Sequence, residues 1–236
     1  MATLNVYCAG AAMAVMKQIA AKFENDTGHA IAAKFGAVGA MKAPVVAGEP
    51  ADVVVLTAAL IDELIGQGLC VAGSRVDLGK VGTGVAVRAG TPLPDVSDLR
   101  VLRGNLLAAT RVMFPDPAVA TAGKVVMAAL EKMGIAEELK SCLQFFPNGN
   151  AAMNDLAASN GLNEIGITQI TEIVPIKGVT LVGPLPAEVQ SIAVYSAGLV
   201  TKSADPELAK EFIKRLTGFT AQPVLSAAGF DVGSGS

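Results

Sequence analysis

Short continuous apolar runs alternate along the chain with longer stretches in which apolar residues recur every three or four positions, a pattern that predicts strands interleaved with helices. Leu4 to Cys8 reads as a strand. Ala12 to Asn25 carries Val15, Ile19, Ala20 and Phe23 at the spacing of an amphipathic helix. A second strand, Ala30 to Phe35, follows Gly28, and the turn Gly36-Ala37-Val38-Gly39 leads into a short helix. Asp52-Val53-Val54-Val55-Leu56 is a strand of the kind buried on both faces of a parallel sheet, and Ala58 to Gly66 is the helix after it. Strand and helix in regular succession with short turns predict a doubly wound α/β lobe.

The rhythm changes in the middle of the chain. Val81 to Arg88 reads as a strand that leaves the first lobe, followed by the proline-punctuated Thr91-Pro92-Leu93-Pro94 and by Asp95 to Leu99. Val112 to Phe114 is a short strand broken by Pro115-Asp116-Pro117, and a helix runs from Thr121, a candidate N-cap, to about Met133. Gln144 to Phe146 (strand), Ala151 to Ser159 (helix), Glu164 to Thr168 (strand), Thr180 to Val182 (strand) and Ile192 to Val200 (strand) come next. Pro206 to Leu216 opens on Asp205, with proline where its missing N–H costs nothing, and a last short helix spans Gln222 to Ala228.

Composition narrows the possible functions. At 52% hydrophobic and 17% charged, the 236 residues can bury a real core, in one large domain or two small lobes. A net charge of −3, with Lys and Arg scattered, argues against nucleic acid as a partner, which requires a basic face. No tryptophan and two tyrosines leave few rings to stack on bases or sugars. No apolar run approaches the roughly 18 residues of a membrane span, so no membrane insertion is expected.

Cys8, Cys70 and Cys142 lack metal-knuckle spacing and allow at most one bridge; free Cys habitually serves as a small buried hydrophobe. Cys8 is set apart by its place at the end of the first strand. The single histidine, His29, lies in a turn, which argues against Ser-His-Asp chemistry and histidine metal sites. No metal or cofactor is called for.

Several stretches resemble the periplasmic molybdate-binding protein family: the opening strand and helix, Phe23-Glu24-Asn25-Asp26-Thr27-Gly28, Lys34-Phe35-Gly36, and Gly48-Glu49-Pro50-Ala51-Asp52-Val53-Val54-Val55. Asp205-Pro206-Glu207-Leu208-Ala209-Lys210-Glu211-Phe212 and Ala227-Ala228-Gly229-Phe230 continue the likeness, in the same order over almost the whole chain. The resemblance implies the type II periplasmic-binding-protein fold: two doubly wound α/β lobes, a hinge, and a ligand cleft between them. Transferred to this chain, residues 1–82 plus 193–232 form lobe I and 83–192 lobe II, with 233–236, Gly-Ser-Gly-Ser, as an appended linker. It also implies a periplasmic location and a monomer working with an ABC permease; the opening Met1-Ala2-Thr3, which runs straight into the strand at Leu4, fits either a cytoplasmic protein or one whose signal peptide has given way to an initiator Met.

The chain departs from that family where the oxyanion is held. The serines of the first and second loops are replaced by Ala11 and by Val38 or Gly39, and the tyrosine after the Gly-Ile strand by Gln169. Molybdate or tungstate is therefore not the expected ligand. What survives is main chain beyond the carboxyl ends of strands, at Gly10-Ala11-Ala12, Val38-Gly39-Ala40 and Ala120-Thr121-Ala122, where helix N-termini favour an anion. Small residues also simply fit tight turns.

Lys42 and Lys124 are candidate charge-assisted donors or else solvated helix positions. Thr121, Asn150, Gln169 and Tyr195 are candidate neutral partners, with Asn150 alternatively the N-cap of the helix beginning at Ala151. A small anionic ligand, an organic di- or tricarboxylate, is expected. Two functions follow: a receptor that delivers it to an ABC permease, or an enzyme on the same scaffold, an aconitate isomerase working by a 1,3-proton shift. For the enzyme, Lys42, Lys124, Tyr195, Cys8 or a carboxylate such as Glu172 are the candidate proton carriers.

Overall fold

The computed structural model describes residues 1–233; Ser234 to Ser236, most of the segment read as a linker, lie outside the described residues. The chain forms two compact units, Met1–Val81 together with the segment from Ala193 onward, and Gly82–Ile192.

In the first unit, β1 (Thr3–Ala9) is followed by one 3₁₀ turn, Gly10–Ala12, and by helix α1 (Met13–Thr27), which ends on Gly28 in the left-handed conformation at φ 72°. β2 (Ala30–Gly36), α2 (Val38–Val46), β3 (Val53–Thr57) and α3 (Ala58–Gly66) continue the winding. β1 pairs in parallel with β2 and with β3. Val53, Val54, Val55 and Leu56 are all fully buried, as their unbroken apolar run requires. Asp52, just ahead of that run, is itself buried and is answered on each side: it accepts hydrogen bonds from Asn5 N–H, Ser203 Oγ and Ala204 N–H at 2.7–2.8 Å. Phe23 of α1 meets Phe212 edge to face at 5.1 Å, joining the N-terminal and C-terminal parts of this core.

β4 (Val76–Arg88) begins five residues before the strand read at Val81 and runs on into the second unit. There follow α4 (Leu99–Leu107), β5 (Arg111–Pro115), α5 (Thr121–Lys132), β6 (Leu143–Phe146), α6 (Gly149–Ala158), β7 (Glu164–Gln169), α7 (Ile170–Ile173) and β8 (Val179–Pro184). β6, β5 and β7 are parallel, and β4 pairs antiparallel with β7 and β8. Alternate residues of β5 feed opposite faces: Val112 and Phe114 pack with Leu102, Leu106 and Leu130, whereas Met113 packs with Met153 and Leu156. A sheet covered on both faces is the doubly wound arrangement the alternation predicts. Within this unit Gln190 acts as a surrogate strand residue for Thr83, its Oε1 accepting from Thr83 N–H at 2.8 Å and its Nε2 donating to Thr83 C=O at 2.9 Å.

The chain returns through β9 (Ile192–Leu199), which pairs antiparallel with β3, then α8 (Pro206–Thr217) and α9 (Gln222–Ala227). α8 begins on Asp205, whose carboxylate accepts from Leu208 N–H, with Pro206 in the first turn. No helix of the described residues is long and apolar enough to cross a membrane.

Candidate functional site

Among the described residues several helices start without a side-chain cap: α1 after Ala12, α3 after Thr57, α7 after Gln169 and α9 after Ala221, and also α2 and α5. α2 starts after Ala37 and α5 after Ala120, both in extended conformation with no side-chain hydrogen bond to the first turn. At three other helices the same need is met by a side chain. Asp98 caps α4, Asn148 caps α6 and Asp205 caps α8. The first four N–H groups of an α-helix lack partners within the helix, so the alanines at α2 and α5 keep the first turn available to an external acceptor.

At α2, Val38 is buried while Gly39 and Ala40 are exposed. Lys42, on the same helix, is joined to Glu63 at 2.5 Å, so its charge answers a carboxylate of α3 instead of standing free for a ligand. At α5, Ala120 is buried, Thr121 exposed and Ala122 half-buried. Thr121 is the first helical residue, not the N-cap expected of it, because Ala120 takes the extended conformation that precedes the helix. Lys124 is exposed one turn further on. Gly123 is held against the β5 turn so closely that a Cβ would meet Pro115 C=O at 2.1 Å.

The loop after β1 is more enclosed than its composition suggests, with Gly10, Ala11 and Ala12 all buried. Cys8 is fully buried, its Sγ faces Ala9 C=O at 3.4 Å, and burial pushes its thiol far above the ordinary range. That removes Cys8 as a proton carrier near neutral pH. Tyr195 lies in β9 opposite Thr57, 4% exposed and edge-on to Phe230, so it is a buried strand residue. His29 accepts from Ala2 N–H through Nδ1 and thereby fastens the start of β1. The three thiols are free.

The densest polar cluster lies in the second unit, where β7 runs into α7 beside the start of α6. Glu172 is buried, accepts from Thr168 Oγ1 at 2.6 Å, from Asn150 Nδ2 at 3.3 Å, and from the main-chain N–H groups of Gly149 and Gln169. Desolvation pushes its carboxyl up to about 7, against the downward pull of the Thr168 hydroxyl and the two N–H groups. Gly149 permits this approach: a Cβ there would sit 2.1 Å from both Glu172 Oε2 and Thr168 Oγ1. Asn148 is the N-cap, accepting from Ala151 N–H at 2.9 Å, so the capping role considered for Asn150 belongs two residues earlier. Asn150 Nδ2 turns instead to Glu172.

Gln169 is buried, and its Oε1 has no hydrogen-bond partner among the described residues; neither does Thr83 Oγ1, and Thr83 is its cross-strand neighbour in β4. Buried polar atoms left open in this way are costly unless something external meets them. Of the expected residues, the fold therefore gathers Asn150, Ala151 and Gln169 into one neighbourhood in this unit. Thr83 and Thr168 belong there too, and their only sequence signal is a hydroxyl within a largely apolar stretch of strand. Among the described residues no three His, Cys, Asp or Glu side chains converge as metal ligands would.

With this geometry established, comparison places the chain in a family. The profile of the family described as bacterial extracellular solute-binding protein matches residues 4–231, and the chain belongs to that family. It is 28% identical to an aconitate isomerase of a Pseudomonas species, over 96% of this chain and 87% of that protein. It is 29% identical to the molybdate-binding protein ModA of Azotobacter vinelandii, over 92% of this chain and 85% of that one. Among solved structures, the periplasmic molybdate-binding protein of Azotobacter vinelandii superposes with a TM-score of 0.82 at 22% identity, covering 98% of this chain and all of that one. The sulfate-binding protein SubI of Mycobacterium tuberculosis gives 0.73 at 18% identity, over 98% and 86%. The fold is that of the type II periplasmic binding proteins.

Proposed function

We propose that this member of the solute-binding family captures a small organic di- or tricarboxylate and presents it to an ABC permease outside the cytoplasm. The observation that carries this reading is the pair of helix starts at which an alanine stands in the extended cap position. The helices that start on Ala37 and Ala120 offer main-chain N–H groups with no acidic or hydroxyl side chain in competition, whereas Asp98, Asn148 and Asp205 occupy theirs. Such starts attract carboxylates through N–H donation and the helix dipole. Gln169 and Thr83, with open buried oxygens, supply the neutral contacts that an oxygen-rich organic acid with hydroxyl or protonated carboxyl groups can satisfy. The absence of serine at Ala11 and at Val38 or Gly39 supports the organic acid over a tetrahedral metal oxyanion.

A second reading, isomerisation of aconitate, is supported by the relative of that name and by Glu172, whose carboxyl is poised near neutrality. In it, a general base takes a proton alpha to one carboxylate, and an acid returns a proton at the far end of the allylic system. Glu172 is then the leading proton carrier, ahead of Lys42, which is paired, and Cys8, whose thiol is too weak an acid.

One experiment separates the two. The purified protein is melted against molybdate, sulfate, and di- and tricarboxylates including both aconitates, and the aconitates are followed by proton NMR in deuterated buffer. A specific ligand at about one hundred times its Kd stabilises by about 2.7 kcal/mol, roughly 5–10 °C for a chain of this size. A shift with a carboxylate and no turnover supports the receptor. Interconversion of the isomers with solvent deuterium entering carbon establishes the isomerase, and a shift with molybdate alone overturns both.

A further inference from the structure

At the start of β7 and the end of β4, within the second unit, lies a cavity of about 270 Å³ that the proposed function does not use. A single water needs only about 10–15 Å³ on this measure, so the space is of ligand size. Its walls carry one acid and one base. Glu164 has a side chain only 4% exposed; Arg111 Nη1 donates to its Oε1 at 3.0 Å, and its Oε2 is buried with no partner among the described residues. Arg88 also lines the cavity, and its Nε is buried and likewise without a partner among the described residues.

The sheet brings these two residues to one cavity. The antiparallel β4–β7 ladder ends with Ala86 paired to Gly166, and just beyond it Arg88 of β4 and Glu164 of β7 both line the cavity. Opposite charges lining one cavity would ordinarily close on each other. Here Glu164 is held from its other side by Arg111, while Arg88 makes no ion pair within the described residues. The rim is apolar: Leu93 is 60% and Leu162 74% exposed, with Pro92 beside them.

We propose that this cavity is a second ligand site, selective for a small apolar α-amino acid. The ammonium group donates to Glu164 Oε2, the carboxylate accepts from the Arg88 guanidinium, and the aliphatic side chain covers Leu93 and Leu162. A simple cation would meet Arg88 and a simple anion would meet Glu164, each as a like charge; a zwitterion satisfies both. The site is separate from Glu172 and the helix starts, and holds whichever reading of those is correct.

The test uses the full chain and calorimetric titration with L-leucine, L-leucinamide and N-acetyl-L-leucine. Leucine should bind saturably at one site, and each analogue, lacking one charge, at least about tenfold more weakly. Glu164→Gln and Arg88→Met should each abolish leucine binding. Because Glu164→Gln also disturbs Arg111, the rim variant Leu162→Asp gives a test at an exposed position; it should weaken leucine at least about tenfold while leaving polycarboxylate binding unchanged. No saturable heat at 10 mM leucine, equal binding of the analogues, leucine binding unaltered in all three variants, or competition between leucine and the polycarboxylate would overturn the proposal.

Discussion

Thr168 Oγ1 donates to Glu172 Oε2 at 2.6 Å, and both side chains are shut away from solvent where β7 becomes α7. The bond joins the last turn of a buried strand to a carboxyl that also collects the Gly149 and Gln169 N–H groups. One acid thus ties together the start of α6 and the β7–α7 junction. Its protonation state is coupled to the packing of the second unit.

The coupling has a definite sign. The Glu172 carboxyl rises from 4.5 to about 7 on folding, so the folded chain holds its proton more tightly than the unfolded chain. Its stabilising contribution is complete below about pH 4.5 and is lost as pH rises through about 7, a change on the order of 3 kcal/mol. Urea denaturation at pH 5 and pH 8 should show this loss in the parent and not in Glu172→Gln. Equal losses in the two proteins would remove Glu172 as the titrating group.

Gly149→Ala tests the same junction sterically. The added methyl would lie 2.1 Å from Glu172 Oε2 and Thr168 Oγ1, so the carboxyl or the helix must move. Overpacking of this kind costs about 1–3 kcal/mol, and here it also breaks the Gly149 N–H bond to the acid. The midpoint of chemical denaturation should fall accordingly, whereas Gly39→Ala, with open space around it, should leave the midpoint nearly unchanged.

The strands were largely legible because burial on both faces writes an unbroken apolar run, as at Val53 to Leu56. α4 leaves a weaker local signal although Leu99, Leu102 and Leu106 have helical spacing, because Pro92 and Pro94 mark a loop just ahead of it and the cap, Asp98, stands beside another acid-bearing turn at Asp95. Asn148 and Asn150 flank Gly149 symmetrically, and only the main-chain geometry decides which one caps α6. The pairing of Lys42 with Glu63 joins two helices through a tertiary contact that no local pattern announces. Glu172 is the hardest case: the sequence offers it only as one candidate carboxylate among several proton carriers, and its burial depends on Thr168, Asn150 and Gly149 closing around it.

In the first unit, Asp52→Ala should be among the most destabilising single changes. It leaves Asn5 N–H, Ala204 N–H and the Ser203 hydroxyl without the carboxylate they share. Buried donors orphaned from a charged acceptor cost about 1–3 kcal/mol each at most, and partial relaxation brings the expected total to about 3–5 kcal/mol. A midpoint within experimental error of the parent would show that water replaces the carboxylate without penalty.

Ala37→Asp separates the needs of the helix from those of the ligand. Ala37 is half-buried in the extended conformation an N-cap residue adopts, and α2 behind it lacks a side-chain cap. An aspartate there should bond the first-turn N–H groups and raise the stability of the unliganded protein by about 0.5–2 kcal/mol. The same carboxylate takes up the donors assigned to the ligand and repels its charge, so polycarboxylate affinity should drop at least about tenfold. Ala37→Ser keeps the cap without the charge and should retain most of the affinity while gaining similar stability. Opposite movement of melting temperature and affinity in the aspartate variant, measured by thermal melting and calorimetry, is the signature of a helix start reserved for an anion. Unchanged affinity in a stabilised variant would show that the anion is held elsewhere than α2.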